Sequence, residues 1–284
     1  MASHNVTLNS VNARTYANPL GAFTLIEISI VLVIIGLIVS GVLVGRTLIR
    51  SAELRSVITD AEKFQTAMGT FRVKYSSMPG DFGNAQAMFG VSQYACPTGN
   101  GVVTYGTFPS GTCNGNENGQ IDLGTQEMFL VWQHLALAGM IPGQYSGVQG
   151  AAWVYSCSLG WNCPGSRLAY SGYGMRYEAS VTGSRSVAGG DWYVGSYGNT
   201  LEFGSDPYVY PVTAWPTEHP NSLSPSELQS LDTKFDDGLP ASGHIMTQAP
   251  SYWPGCATSN TPALATYAAS NALTCAIIFT NQGF

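Results

Sequence analysis

The feature that most constrains this chain is a continuous apolar run near its N-terminus. Residues 21–45 read GAFTLIEISIVLVIIGLIVSGVLVG and contain one charged side chain, Glu27. A run of this length can cross a bilayer as one helix. A carboxylate within hydrocarbon costs roughly 2.5 to 3.5 kcal/mol on insertion scales, so an acid in this position indicates a functional site that requires a partner. Glu27 is therefore the first candidate functional residue.

The order of residues around this acid carries a family resemblance. In the segment AFTLIEISIVLVIIGLIVSGV, the residues Phe, Thr, Leu, Ile and Glu follow one another before an uninterrupted apolar helix. This segment resembles the cleavage and methylation segment of type IV pilins and type II secretion pseudopilins. The resemblance implies that prepilin peptidase removes a leader, residues 1–22, by cutting before Phe23. It also implies N-methylation of Phe23 and assembly of many copies into a filament.

Cleavage would create a partner for the acid. A cut between Ala22 and Phe23 places a new α-amino group four residues before Glu27. In an assembly, each amine can then neutralise the carboxylate of a neighbouring chain. An unpaired buried charge costs several kcal/mol, and pairing removes that cost. The resemblance thus assigns processing to Gly21, Ala22 and Phe23, and assembly to Glu27.

Two positions depart from the usual family pattern. The family usually has glycine immediately before the cut, whereas this chain has Gly21 followed by Ala22. A cut after Gly21 is therefore the alternative, and it would place Glu27 at mature position six. Many major pilins also have proline at mature position 22, which is Val44 in this chain.

Glycines interrupt the apolar run, and Gly36 lies at mature position 14, where pilins often have glycine. Glycine in a helix costs up to about 1 kcal/mol relative to alanine. The resemblance implies that the helix melts locally around Gly36 when the subunit enters a filament. The other interpretation is that small residues let neighbouring helices approach closely.

An ordinary signal anchor or a cleaved secretory peptide is the alternative for the apolar run. A secretory peptide places small residues after its apolar core. Here Gly21 and Ala22 precede the core, so cleavage leaves the apolar helix on the mature protein. The basic residues favour a cytoplasmic N-terminus only weakly, because the leader has one arginine, Arg14, and three arginines follow the run within residues 46–55.

The pattern after residue 45 becomes amphipathic and predicts a continuation of the same helix. Its apolar side chains recur at three- and four-residue spacing. They are Leu54, Val57, Ile58, Ala61, Phe64, Met68, Phe71 and Tyr75. Proline disfavours helical geometry in the residue before it, so one helix is predicted from Thr24 to Ser76, ending before Pro79. An isolated coiled coil is the alternative for the amphipathic half.

The rest of the chain predicts a globular head. Short β-rich runs favour an antiparallel β-sheet packed on the amphipathic half of the helix, which makes the fold class a disulfide-containing α+β fold similar to that of pilins. The predicted strands are Ala152–Cys157, Arg167–Tyr170, Asp191–Tyr197, Thr200–Phe203 and Tyr208–Val212, with further strands in FDDGLPASGHI and TCAIIFT. The last of these is expected to be buried on both faces.

The predicted parts are a leader, 1–22, a long helix, 23–78, and a head, 79–284. The helix divides into a transmembrane or filament-core part, 23–45, and an amphipathic part, 46–78.

Three further helices are predicted. The segment SSMPGDFGNAQAMFG indicates a turn and a short helix closed by Gly90. Helical spacing predicts a second helix at Thr125–Ala138. In SLSPSELQSL, Ser224 caps a third helix and Glu227 completes a capping box. That helix is expected to end near Lys234.

All six cysteines follow the apolar run, where an exported head would meet an oxidising compartment. They are Cys96, Cys113, Cys157, Cys163, Cys256 and Cys275. We predict that nearest neighbours pair, and the last pair resembles the C-terminal disulfide loop of many pilins. A zinc site is not favoured, since neither a C-x-x-C motif nor paired histidine spacing occurs.

The segment CNGNENGQIDLGTQE is close to the first part of an EF-hand calcium loop. Asn114, Asn116 and Asn118 alternate, and Asp122 follows a glycine turn. Against this interpretation, the first ligand would be uncharged and Glu127 lies two residues later than the twelfth position. A calcium site and a plain Asn-Gly surface turn therefore both remain open. A second, weaker candidate, for which a helix-end turn is the alternative, comprises Asp232, Asp236 and Asp237.

Composition and motifs exclude two classes of function. Only 10% of residues are charged and the net charge is -6, so no basic surface is expected for nucleic acid. The sequence contains no nucleophile elbow, no H-E-x-x-H motif and no P-loop, so an enzyme is not expected. The histidines are scattered, and His134 is interpreted as a structural residue of the second short helix.

The resemblance implies a structural subunit of a type IV pilus or pilus-like filament. The precursor would sit in the inner membrane, and the mature chain would stand in a pilus or at the cell surface with its head in the periplasm or outside. The implied partners are copies of the same chain, prepilin peptidase and the pilus assembly machinery. A minor or tip pilin and a secretion pseudopilin are alternatives within the family. A membrane-anchored surface-binding module is the alternative from a different class.

Overall fold

A computed structural model describes residues 23–93, 96, 108, 110–122, 126–148, 157–178, 193, 195–204, 223–250 and 255–280. The leader, the predicted strand Tyr208–Val212 and all but the last residue of the predicted strand Ala152–Cys157 lie outside the described residues. Of the predicted strand Asp191–Tyr197, residues 193 and 195–197 are described, and they belong to none of the strands, since the nearest one begins at Gly198. Contacts divide the chain into two units, Met1–Ile49 and Arg50–Phe284. Each unit is described by itself.

The first element, α1, is a helix over Leu25–Tyr75, which confirms the predicted long helix to within one residue at each end. The helix ends where Ser76 adopts the left-handed conformation, with a φ of 56°. A residue in this conformation commonly terminates a helix. Pro79 follows three residues later, as the sequence pattern anticipated.

In the second unit, the predicted apolar stripe of α1 faces the core. Every member of the stripe is buried or half-buried, and Val57, Met68 and Phe71 have no exposed surface. The ring of Phe64 makes edge contacts with Trp132 at 5.1 Å and with Tyr173 at 5.0 Å between centroids. These contacts join α1 to both a helix and the sheet.

The sheet has four antiparallel strands in the order β1-β2-β4-β3. The strands are β1, Gly172–Glu178; β2, Gly198–Gly204; β3, Ile245–Met246; and β4, Ile277–Phe279. Leu201 of β2 lies opposite Met175 of β1 and opposite Phe279 of β4. The predicted run Thr200–Phe203 thus falls within β2, and the predicted strand in TCAIIFT is shorter than that segment, since β4 covers only Ile277–Phe279.

Both faces of the sheet are covered. On one face, Tyr173 and Phe203 belong to the main core with α1, whereas Ile278 packs on the other face with a smaller cluster that includes Tyr193. Ile277 and Ile278 are both fully buried, which confirms the expectation for the last strand.

The predicted strand Arg167–Tyr170 is wrong, because this segment forms a turn before β1. The amide of Ser166 donates to the carbonyl of Ser171 at 2.8 Å, which closes the turn. Tyr170 has a φ of 57°, in the left-handed region that a strand cannot use. The strand begins two residues later, at Gly172.

The shorter helices are α2, Ala85–Phe89; α3, Glu127–Leu137; α4, Pro225–Phe235; and a single 3₁₀ turn at Pro262–Leu264. The predicted capping box of α4 is present: Ser224 Oγ accepts from the amide of Glu227, and Glu227 Oε2 accepts from the amide of Ser224. The same carboxylate also accepts two hydrogen bonds from Arg50 of α1, at 2.6 and 3.0 Å. Glu227 therefore links the start of α4 to α1.

Three disulfides join nearest neighbours in the sequence. They are Cys96–Cys113, Cys157–Cys163 and Cys256–Cys275. Each bridge closes a local loop of the second unit, as the nearest-neighbour pairing predicted from the sequence requires.

The cap of α4 allows a test of this local structure. Replacing Ser224→Ala removes the side-chain acceptor for the Glu227 amide, and we expect the free energy of unfolding to fall by about 1 kcal/mol. Denaturant unfolding of the full chain in detergent measures the change. Ser224→Thr keeps the hydroxyl and is expected to lose less than half as much. Equal losses in both variants would contradict the capping role.

Candidate functional site

The N-terminal site is built by the first turn of α1. The amide and the hydroxyl of Thr24 both donate to Glu27 Oε2, at 2.8 and 2.7 Å, and the amide of Glu27 donates to Thr24 Oγ1 at 3.3 Å. This is a capping box, a motif that starts a helix by satisfying its first amides. The T-x-x-E spacing before an apolar run is the signature of this motif, which was not among the roles predicted for Glu27.

The cap uses only one of the two carboxylate oxygens of Glu27. Both donors from Thr24 reach Oε2, and the described residues provide no hydrogen bond to Oε1. Phe23 precedes the cap and is exposed. Gly21 and Ala22, the other predicted processing residues, lie outside the described residues.

Within the described part of the first unit, residues 23–49, the apolar part of α1 is exposed along its length. The exposed fraction of its large apolar side chains ranges from 48% at Ile28 to 89% at Leu25. The helix is long and apolar enough to cross a membrane, with a mean hydropathy of 2.9 in its most apolar window. A continuous apolar surface of this kind requires a cover of lipid or protein. It is consistent with a membrane anchor or a signal sequence.

Gly36 lies within this apolar part and is helical. A Cβ atom built on Gly36 would meet no atom within 4 Å, and the same holds for Gly41 and Gly45. The fold of the single chain therefore does not require glycine at these positions. The two interpretations of Gly36, local melting and close approach of neighbouring helices, both concern other copies of the chain and remain predictions.

The asparagine loop, residues 114–122, is closed by two buried carboxylates. Glu127, at the start of α3, accepts the amides of Asn116 at 2.9 Å and Asp122 at 3.0 Å. Asp81, from the turn before α2, accepts the amides of Asn118 at 3.1 Å and Gly119 at 2.8 Å. Asp81 was missed as a member of this loop, since it lies 37 residues before Asn118 in the chain.

The side chains of the loop are also paired with one another. The amide groups of Asn116 and Asn118 both donate to Asp122 Oδ2, at 3.1 and 2.7 Å. Asn114 Oδ1 accepts the amide of Gln86 in α2 at 2.8 Å. The five residues predicted as calcium ligands are therefore held in one region, with N–H groups directed at their oxygens.

This arrangement does not form an oxygen cage for a cation. A calcium ion needs six to eight oxygens directed at one point, and here both oxygens of Asp81 and both oxygens of Glu127 already accept backbone amides. Burial raises the pKa of both carboxyl groups, and neighbouring carboxylates raise it further. Calcium at the asparagine loop remains a prediction that would require these hydrogen bonds to be exchanged.

His134 of α3 joins the residue before the asparagine loop to the turn that carries Asp81. Its Nδ1 accepts the amide of Gly80 at 3.0 Å, and its Nε2 lies 3.1 Å from the carbonyl oxygen of Cys113. The side chain is fully buried, which lowers the pKa of the imidazole to about 4. Both ring nitrogens bind protein groups, so His134 has the structural role predicted for it.

The structure also brings together the second acidic candidate, at the end of α4. One oxygen each from Asp232, Asp236 and Asp237 lie within 4.8 Å of one another. Among the described residues, no other group of three or more histidine, cysteine or acidic side chains converges in this way.

Comparisons with protein-family models, curated proteins and solved structures found no match to this chain. Two features of the chain itself therefore bear on its function. These are the exposed apolar helix with Glu27 at its start, and the disulfide-containing sheet structure.

His134 is expected to make stability depend on pH. The unfolded chain binds a proton on this residue near pH 6.5, whereas the folded protein does so only near pH 4. Stability is therefore fully present above pH 6.5 and is lost as pH falls toward 4, by about 3 kcal/mol for the whole shift. His134→Gln, whose amide can replace both hydrogen bonds, should remove this loss.

Denaturant unfolding across this pH range measures the difference between wild type and variant. His244 is exposed, and His244→Gln is the matched control that should keep the wild-type pH dependence. If His134→Gln showed the same fall in stability as wild type, the assignment to His134 would be wrong.

Proposed function

We propose that this chain is a structural subunit of a type IV pilus or a pilus-like filament, made as a membrane-anchored precursor and assembled through α1. The division of α1 carries the proposal. Its apolar residues up to Ile49 are exposed, whereas its stripe from Val57 onward is buried against a sheet. One half is thus packed against other described residues of the chain, and the other half requires further contacts with lipid or protein.

In a filament subunit, the apolar half of the helix contacts lipid before assembly and neighbouring subunits after it. In the precursor, the apolar half of α1 spans the inner membrane. After prepilin peptidase cuts before Phe23, the assembly machinery transfers this half from lipid into a bundle of identical helices. Burial of the apolar side chains against other copies supplies cohesion.

The geometry at Glu27 supports a pairing step between subunits. Thr24 occupies Oε2, and Oε1 accepts no hydrogen bond from the described residues. The capping box therefore holds the carboxylate in place while one oxygen remains available to the Phe23 amine of a neighbouring chain. A charged hydrogen bond between them would offset the cost of leaving an ion in an apolar bundle, and it would set the register of the helices.

The disulfides and the sheet fit a head that is exported. All six cysteines are oxidised in pairs and all belong to the second unit, as expected where disulfides persist. A major pilin, a minor or tip pilin and a secretion pseudopilin differ in the assembly that contains the subunit, so isolating that assembly would distinguish them.

A membrane-anchored binding module without a filament is the second candidate. The capping box favours it to a degree, because Thr24 already provides Glu27 with two hydrogen bonds inside a single chain. In this case the acid would serve only to start the helix, and its charge would have no further role.

The variant Glu27→Gln separates the two candidates. Glutamine keeps an oxygen that can accept from Thr24, so the helix start is retained, but it removes the charge that would pair with a neighbour's amine. We expect normal cleavage and membrane insertion, with filament incorporation reduced at least about tenfold, the equivalent of roughly 1.4 kcal/mol. Co-purification of tagged and untagged subunits from sheared surface fibres measures incorporation.

Thr24→Ala is the matched control, since it removes the side-chain cap and leaves the charge of Glu27. It should assemble more efficiently than Glu27→Gln. Mass spectrometry of the mature N-terminus tests processing directly, with N-methylated Phe23 as the expected first residue. A purified chain that still begins at Met1, or normal incorporation of Glu27→Gln, would reject the filament mechanism.

A further inference from the structure

We propose that the α4 acid cluster, formed by Asp232, Asp236 and Asp237, binds a calcium ion. The proposal concerns the second unit alone and does not depend on the filament function. One oxygen of each carboxylate lies within 4.8 Å of one oxygen of the other two. Carboxylates converging at this spacing provide the hard oxygen ligands that Ca²⁺ takes in proteins.

Asp232 provides independent support for a missing ligand. Its side chain has no exposed surface, and its Oδ1 makes no hydrogen bond of normal geometry among the described residues, the Gly238 amide acting on the carboxylate only as a nearby dipole. Its other oxygen, Oδ2, accepts from the hydroxyl of Tyr267 at 2.7 Å. A buried carboxylate oxygen without a donor is costly, and a cation bound by the cluster would satisfy it.

The α4 acid cluster lies at the C-terminal end of a helix, which makes the charge of its carboxylates less favourable. Asp232 lies in the last turn of α4 and Asp236 is its C-cap residue. The C-terminal end of a helix carries partial negative charge, so carboxylates there are unfavourable and cations are favourable. Among the described residues, no lysine, arginine or histidine side chain forms an ion pair with any of the three acids.

The two other carboxylates are held in place by the turn that follows α4. Asp236 Oδ2 accepts the amides of His244 and Ile245, whereas no hydrogen bond from the described residues reaches its Oδ1. Asp237 accepts the amide of Leu239 at 2.9 Å and the hydroxyl of Ser242 at 2.6 Å. The acids are therefore positioned before an ion binds, which lowers the entropic cost of binding. Oδ1 of Asp236 is open to an ion, whereas both oxygens of Asp237 already accept a hydrogen bond, so Asp237 would have to share one of them with the ion.

The turn also provides the room that these carboxylates need. Gly243 has a φ of 78°, and a Cβ atom at this position would overlap the carboxylate of Asp236. Glycine here both adopts the left-handed conformation and leaves space for the acid. Water and main-chain carbonyl groups would complete the six to eight oxygens that Ca²⁺ prefers.

An ion in this cluster would stabilise three parts of the fold at once. Asp232 belongs to α4, and Asp236 binds the first residue of β3. Tyr267 lies in the loop closed by the Cys256–Cys275 disulfide. Calcium is therefore expected to raise the unfolding temperature of the second unit.

The test uses the full chain in detergent after treatment with EGTA, with CaCl₂ as the added ligand. Isothermal titration calorimetry should show one site, and thermal unfolding should show a higher midpoint with Ca²⁺. Asp237 is exposed, so Asp237→Asn should fold normally and bind Ca²⁺ about tenfold or more weakly. Asp232→Asn can keep the bond from Tyr267 and removes a buried charge, so it should be at least as stable as wild type in EGTA and lose the response to Ca²⁺.

Asp122→Asn is the matched control, because it makes the same chemical change in the asparagine loop. It should retain wild-type Ca²⁺ affinity. The proposal is overturned if wild type shows no binding at millimolar CaCl₂, or if Asp232→Asn and Asp237→Asn both keep wild-type affinity. Loss of binding in Asp122→Asn alone would overturn it as well and would assign the ion to the asparagine loop.

Discussion

The packing of the second half of α1 against the sheet is the interaction on which the rest of the second unit depends. Phe64 touches both Trp132 of α3 and Tyr173 of β1, and the hydroxyl of Tyr173 donates to the carbonyl oxygen of Val57 in α1 at 3.0 Å. One helix face thus contributes to contacts with a second helix and with a strand. Because these side chains are buried in one cluster, the position of each element depends on the others.

The sequence predicted those helices whose defining residues lie close together in the chain. The stripe from Leu54 to Tyr75 predicted the buried face of α1, and Ser224 with Glu227 predicted the start of α4. The Thr24–Glu27 capping box has an equally local signal, the T-x-x-E spacing, but the same acid also fits a charge pair inside a membrane, and spacing alone does not separate the two roles. The strand predicted at Arg167–Tyr170 was wrong because β propensity does not reveal a left-handed residue such as Tyr170.

The candidate sites were less predictable because their members come from distant segments. Asp81 closes the asparagine loop across 37 residues, and Tyr267 reaches Asp232 across 35 residues. No spacing rule connects such pairs. The sequence suggested Asp232, Asp236 and Asp237 only as the weaker cluster, and the buried oxygen of Asp232 became visible only from tertiary packing. Asp81, Glu127 and Asp232 are all buried carboxylates, and the groups bonded to each one determine whether it closes a loop or could bind a cation.

The disulfides have a mechanical consequence. Each bridge spans at most 19 residues, and α1 contains no cysteine. A pull along α1 therefore meets no covalent cross-link beyond the main chain. It is resisted instead by the aromatic cluster around Phe64 and by the two hydrogen bonds from Arg50 to Glu227. Under load, the noncovalent contacts of α1 are therefore the ones that yield, whereas the bridged cysteines stay covalently joined.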